Sequence, residues 1–162
     1  MEKEKDQAEK KQTIENVLKK KGKLIYNFHG ISMRPMLCQE NGILVLRRKE
    51  PDERCRKNDV VLFKRDNGQY VLHRILKVRE KDYWIVGDNC YSGENIREEQ
   101  VLGVLTNFTR KGRSFSVENR WYKLYVWLWC DPWPLRMWIG RRIMFVKRCL
   151  RWLRKHILQA DQ

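Results

Sequence analysis

The chain has no run of about eighteen uncharged apolar residues, so a conventional membrane-spanning helix is not expected. A secretory leader is not expected either, because Met1 to Gln12 is dominated by Lys, Glu, Asp and Gln with no apolar segment. The cysteines (Cys38, Cys55, Cys90, Cys130 and Cys149) form no Cys-x-x-Cys pair, and none has a histidine at metal-ligand spacing. That odd, scattered set argues against a disulfide framework and a structural zinc site and suits a reducing compartment. No metal and no cofactor are expected. There is no internal repeat, low-complexity linker, helix-turn-helix, zinc finger or RNP-like box, and no acidic residue between Asp131 and Asp161.

What is abundant is positive charge and tryptophan. The 162 residues carry a net charge of +15, large enough to draw the chain to something anionic. Five of its seven tryptophans lie between residues 121 and 138.

The pattern divides the chain into three regions. Residues 1–22 read as a charged N-terminal tail and helix. Thr13 is placed to cap it, Ile14, Val17 and Leu18 share one face, and Gly22 can stop it. Residues 23–118 read as a mainly β domain. Leu24–Phe28, Ile43–Arg47, Val60–Lys64, Tyr70–Val78, Tyr83–Val86, Val101–Phe108 and Ser114–Val117 are short runs rich in Val, Ile, Tyr and Phe. Turn signals separate them: Glu40-Asn41-Gly42, Asp66-Asn67-Gly68, Gly87-Asp88-Asn89 and Lys111-Gly112, with Asn67-Gly68 the strongest hairpin signal. Residues 119–162 form an aromatic and basic helical tail. Asp131-Pro132-Trp133-Pro134 breaks it, and Leu135–Leu158 then reads as one amphipathic helix, with an apolar stripe from Leu135 through Ile139, Ile143, Val146, Leu150 and Leu153 to Ile157.

Gly30-Ile31-Ser32-Met33-Arg34-Pro35-Met36-Leu37 can present a nucleophile. Ser32 stands between a conformationally free glycine and a proline that fixes its own φ. A serine in such a setting is most simply a loop residue, and to act as a nucleophile it needs a base. Of the three histidines, His29 and His156 read as structural or surface residues. His73 lies within an apolar strand, sharing a face with Val71 and Ile75, while Leu72, Arg74 and Leu76 take the other. Lys64 and Lys77 are formal alternatives as bases and read as surface charges.

Four segments occur in order: Gly30-x-Ser32-Met33-x-Pro35, Asn58-Asp59-Val60-Val61, Val71-Leu72-His73-Arg74-Ile75 and Gly87-Asp88-Asn89. The series, spanning about Lys23 to Thr106, resembles the signal peptidase I family of serine peptidases, related to the self-cleaving LexA-like repressors. The resemblance implies a compact antiparallel β domain of signal-peptidase/LexA-like fold. It implies Ser32 as nucleophile and His73 in the position where bacterial members have a lysine base, as in the archaeal enzymes and the eukaryotic signal peptidase complex. An unperturbed histidine, with a pKa of about 6.5, is already a usable base near neutrality. Asp88 ranks first as the acid that orients the imidazole or holds the active-site backbone, ahead of Glu94 or Glu98 beyond the box. Gly30 stands where some members have a serine hydroxyl, so oxyanion donors are expected from the backbone, with the Ser32 amide a natural one.

Two features depart from that family. No N-terminal membrane span is evident, so the domain is expected on the cytoplasmic side. The tail has the composition of an interfacial membrane helix, so residues 120–158 are expected to dock on the inner membrane face. The leading expectation is a serine endopeptidase that removes a leader or cleaves a precursor peptide. The competing one is a non-catalytic protein on the same fold, binding nucleic acid or acting as a membrane scaffold. The charge favours nucleic acid superficially, but the basic residues concentrate in the tail, so nucleic acid is not expected as a partner.

Overall fold

The computed structural model describes residues 14–37, 42–139, 142, 146, 148, 149 and 151. The proposed Thr13 cap, the Glu40-Asn41 part of one turn, Cys38, Trp152, His156 and most of the expected 135–158 helix fall outside those residues.

The chain is mainly β. Eight strands, β1 (Lys23–Asn27), β2 (Ile43–Arg48), β3 (Val60–Lys64), β4 (Tyr70–Val78), β5 (Asp82–Val86), β6 (Gly93–Arg97), β7 (Val101–Arg110) and β8 (Arg113–Ser116), form one antiparallel sheet. Its order is β1-β2-β7-β3-β4-β5-β6, with β8 paired to β7. Helix α1 covers residues 14–21 and ends as Gly22 turns left-handed at φ 68°, its amide donating to the Leu18 carbonyl at 3.0 Å. Helix α2 (Arg120–Tyr125) is capped by the Asn119 side chain, which accepts from the Trp121 amide, and continues as a π-helical turn over Val126–Cys130. After a turn at residues 131–132, helix α3 takes residues 133–139, and the described residues from 142 to 151 are helical as well.

The apolar strand runs pair as their alternation requires. In β3, Val60 and Leu62 face one core and Val61 and Phe63 the other, so its first four residues are buried on both faces. Removing a side chain of this kind from water contributes about 1.5–3 kcal/mol. Asn67-Gly68 closes the β3–β4 hairpin, with Gly68 at φ 80° and Lys64 opposite Tyr70. Strand β6 was not expected. Its sequence, Gly-Glu-Asn-Ile-Arg, has a single apolar residue, Ile96, and it becomes a strand by pairing with β5.

One core gathers Leu18 of α1, Met33, Met36 and Leu37 after Ser32, Leu44, Leu46, Leu62 and Leu72 of the sheet, and Tyr122, Val126 and Cys130 of the C-terminal segment. From the segment 120–130, Tyr122, Val126 and Cys130, with Tyr125 packed against them, join the same core as the sheet. The second core, around Phe63, Ile75, Tyr83, Ile85 and Ile96, lies on the opposite face. His73 belongs to that side, with its ring 6.1 Å from Phe63, while Arg74 points to the first.

Candidate active site

Ser32 sits half-buried in a turn that its C-terminal neighbours anchor: Met33, Met36 and Leu37 are fully buried, while Ile31 and Arg34 are exposed. Gly30 before it has φ 145°, and a Cβ there would meet the Phe28 ring at 3.2 Å, so both backbone angle and space call for glycine. The Arg34–Pro35 bond is cis.

The loop between β5 and β6 grips this turn. The Asn89 amide donates to the Ser32 carbonyl at 2.7 Å, and Asn89 Nδ2 donates to the Ile31 carbonyl at 3.2 Å. Gly87 marks where the parts converge. A Cβ on Gly87 would stand 2.7 Å from the Ser32 carbonyl oxygen, 2.7 Å from Cys90 Sγ and 3.1 Å from His73 Nε2. The backbone of Ser32 and the outer nitrogen of His73, forty-one positions apart in sequence, thus approach the same point. The loop can pass between them only without a side chain.

His73 is 8 % exposed, held in β4 opposite Val61. Burial pushes its pKa below the ordinary histidine value, against the pull of Glu94 upward; Arg65 adds to the lowering. The ring is therefore neutral near pH 7, the form a general base needs. Its inner nitrogen, Nδ1, lies 3.5 Å from Glu94 Oε1 and makes no hydrogen bond. Arg65 explains the gap. Its Nε donates to Glu94 Oε2 at 2.7 Å and its Nη2 to Oε1, so both carboxylate oxygens are drawn towards the guanidinium.

Asp88, expected either to orient the imidazole or to hold the active-site backbone, turns to Arg74. Its oxygens accept from Arg74 Nε at 2.8 Å and Nη2 at 2.7 Å, and from the Tyr125 hydroxyl at 2.9 Å. Burial works against the Arg74 charge, but Asp88 outweighs it and lifts the guanidinium pKa well above its ordinary value. Arg74 also donates to the Asn58 carbonyl and the Tyr122 hydroxyl, each at 2.9 Å, and contacts Met36 Sδ at 3.3 Å. The Asp88 carbonyl accepts from Trp129 Nε1 at 3.1 Å and Arg136 Nη2 at 2.7 Å. Asp88 thus ties β4 to α2 and the segment after it, with Met36 of the Ser32 turn reached through Arg74, and Glu94 is the carboxylate that faces His73. Glu98 pairs with Lys49.

The other base candidates are accounted for. Lys64 Nζ binds Glu15 at 2.8 Å and lies over the Tyr70 ring, while Lys77 and His29 are exposed. Asn58 stands where the resembled pattern has glycine, and its φ of 75° is the left-handed conformation that asparagine tolerates best after glycine. Reasoning from the sequence did not find Arg65 or Cys90 at this site. Cys90 follows the Gly-Asp-Asn segment directly, and that adjacency was the available signal. Among the described residues, no group of three or more His, Cys, Asp or Glu side chains is arranged to hold a metal ion.

Neither comparison assigns the site: no protein-family model matches the chain, and no curated protein matches it.

Proposed function

We propose that the chain is a serine endopeptidase of the signal-peptidase-like kind, on a signal-peptidase/LexA-like β domain, in which Ser32 is the nucleophile and His73 the general base. The convergence of the Ser32 backbone and His73 Nε2 at Gly87 carries this reading, and the ordered segments of residues 30–89 support it. A peptide bound in extended form beside Ser32 is attacked at a carbonyl carbon by Oγ as His73 Nε2 takes the hydroxyl proton. The Ser32 amide stabilises the oxyanion. Collapse of the tetrahedral intermediate breaks the C–N bond, and His73 returns the proton to the departing amine. Water, deprotonated in turn by His73, then attacks the acyl ester; the C–O bond to Ser32 breaks, and His73 returns the proton to Oγ as the acid product leaves.

Glu94 supports the imidazolium electrostatically, and its full engagement requires Arg65 to yield part of its hold. The substrate is a leader or precursor peptide. The test is labelling by a fluorophosphonate or peptide-aldehyde probe, mapped by mass spectrometry. Modification of Ser32 that is lost in His73→Ala supports the reading, and absence of Ser32 modification in the wild type contradicts it.

A non-catalytic scaffold bound to an anionic membrane on the same fold is the second reading. The aromatic surface of the C-terminal segment favours it, since that surface needs no chemistry at Ser32.

A further inference from the structure

Helix α2 and the turn after it are apolar on both sides, and the sheet covers only one. Tyr122, Val126 and Cys130 are buried inward. Outward, Trp121 is 74 % and Trp127 66 % exposed, with Leu124 and Leu128 beside them in sequence also exposed. Past the turn, Leu135 and Trp138 of α3 are exposed too. Large aromatic and leucine side chains grouped in this way mark a surface that another phase or molecule covers.

The charges around it select the occupant. Arg120 and Lys123 are exposed on α2, and Arg142 and Arg148 are exposed on the helical residues beyond. Arg142 lies over the Trp138 ring at 5.3 Å and Arg136 over Trp129 at 4.2 Å. Among the described residues, the acidic groups of this segment are paired, Glu118 with Lys123 and Asp131 with Lys57. Tryptophan and leucine bordered by cations suit the boundary between acyl chains and anionic headgroups.

We propose that the outward face of α2 and of the turn after it is a docking surface for an anionic phospholipid bilayer. Trp121, Leu124, Trp127 and Leu128 enter the interfacial layer while the exposed arginines, Arg120 among them, meet lipid phosphates. The inward face of the same segment carries Tyr122, Tyr125 and Trp129, which hold Arg74 and Asp88, so docking fixes the orientation of the Ser32 loop relative to the bilayer. This docking does not depend on Ser32 chemistry, and Ser32→Ala is expected to bind vesicles as the wild type does.

The test uses the full chain with vesicles of phosphatidylcholine alone and of phosphatidylcholine mixed with phosphatidylglycerol. Co-sedimentation is expected to be at least about tenfold stronger with the anionic vesicles, the effect of roughly two basic side chains at such a surface. It is expected to weaken as salt rises. Trp121→Ser with Trp127→Ser should reduce binding by about tenfold or more, since both rings leave water on docking, with circular dichroism and thermal midpoint unchanged. Brominated acyl chains should quench tryptophan emission of the unmodified chain, a readout that needs no variant. Equal binding to both vesicle types, equal binding by the tryptophan variant, or an absence of quenching would overturn the proposal. So would a concentration-dependent dimer lost in that variant without vesicle binding, because the occupant would then be a second copy of the chain.

Discussion

Arg74 and Asp88 meet side-on in the interior, joined by two hydrogen bonds, with their side chains 1 % and 2 % exposed. Removing one partner of a buried pair leaves a desolvated charge, so Asp88→Ala should cost about 3–5 kcal/mol of folding stability. Arg74→Met combined with Asp88→Leu should cost much less than Asp88→Ala alone. Chemical denaturation of the three proteins checks this. If Asp88→Ala kept wild-type stability while losing activity, Asp88 would act on the chemistry instead.

The depressed His73 pKa has a definite sign. Activity on a peptide substrate should persist as pH falls below about 6.5, the ordinary histidine value, and fail only when the buried ring protonates. Glu94 raises that pKa and Arg65 lowers it. Glu94→Gln should therefore move the acid limb of kcat/KM to lower pH, and Arg65→Gln should move it to higher pH. The two variants bracketing the wild type in the pH–rate profile is the expected result. A common shift in one direction would contradict the arrangement. Because the folded-state pKa lies below the unfolded one, the stability associated with a neutral His73 is present above the unfolded value and is lost as pH falls through the folded one.

Gly87→Ala should disable the site. The new Cβ would lie 2.7 Å from the Ser32 carbonyl, a backbone atom that must then move. A displacement of about 1 Å at a reacting group reduces turnover by about 100-fold. Adding Cys90→Ala relieves the sulfur contact but not the backbone one, so the double variant should remain impaired. Initial rates of probe labelling measure both.

Cys90 should make the site sensitive to thiol reagents, since its sulfur would stand 2.7 Å from a Cβ on Gly87, the same point that His73 Nε2 approaches at 3.1 Å. Burial raises its pKa, so alkylation by iodoacetamide should be slow near neutrality and accelerate with pH. Cys55 and Cys130 are pushed up to about 11 and about 12 and should react later. Inactivation that tracks modification of Cys90, and that Cys90→Ala prevents, is the expected outcome by peptide mapping.

Most of the sheet was legible because β3, β4 and β7 carry apolar residues on both faces or in strict alternation. Strand β6 was not, since Ile96 is its one apolar residue and its partner β5 determines its conformation. The alternation of β4 correctly sent His73 and Arg74 to opposite faces. Which carboxylate stands nearest His73 was not legible, because Asp88 was open to either of two roles, orienting the imidazole or holding the active-site backbone. Asp88 is closer to the motif in sequence, but Arg74, the neighbour of His73, takes it on the far face, whereas Glu94 reaches the imidazole from the unrecognised strand. The inward face of α2 was also hidden, because Tyr122, Tyr125 and Val126 are interleaved with equally apolar outward residues. Which side is covered depends on the sheet.

The most direct measurement is the site of covalent modification by a serine-directed fluorophosphonate, compared in the wild type, Ser32→Ala and His73→Ala. The account predicts a phosphonylated Ser32 in the wild type, none in Ser32→Ala, and strongly reduced modification in a folded His73→Ala. Modification of Ser32 that proceeds equally fast without His73, or a wild-type chain whose Ser32 never reacts, would contradict it.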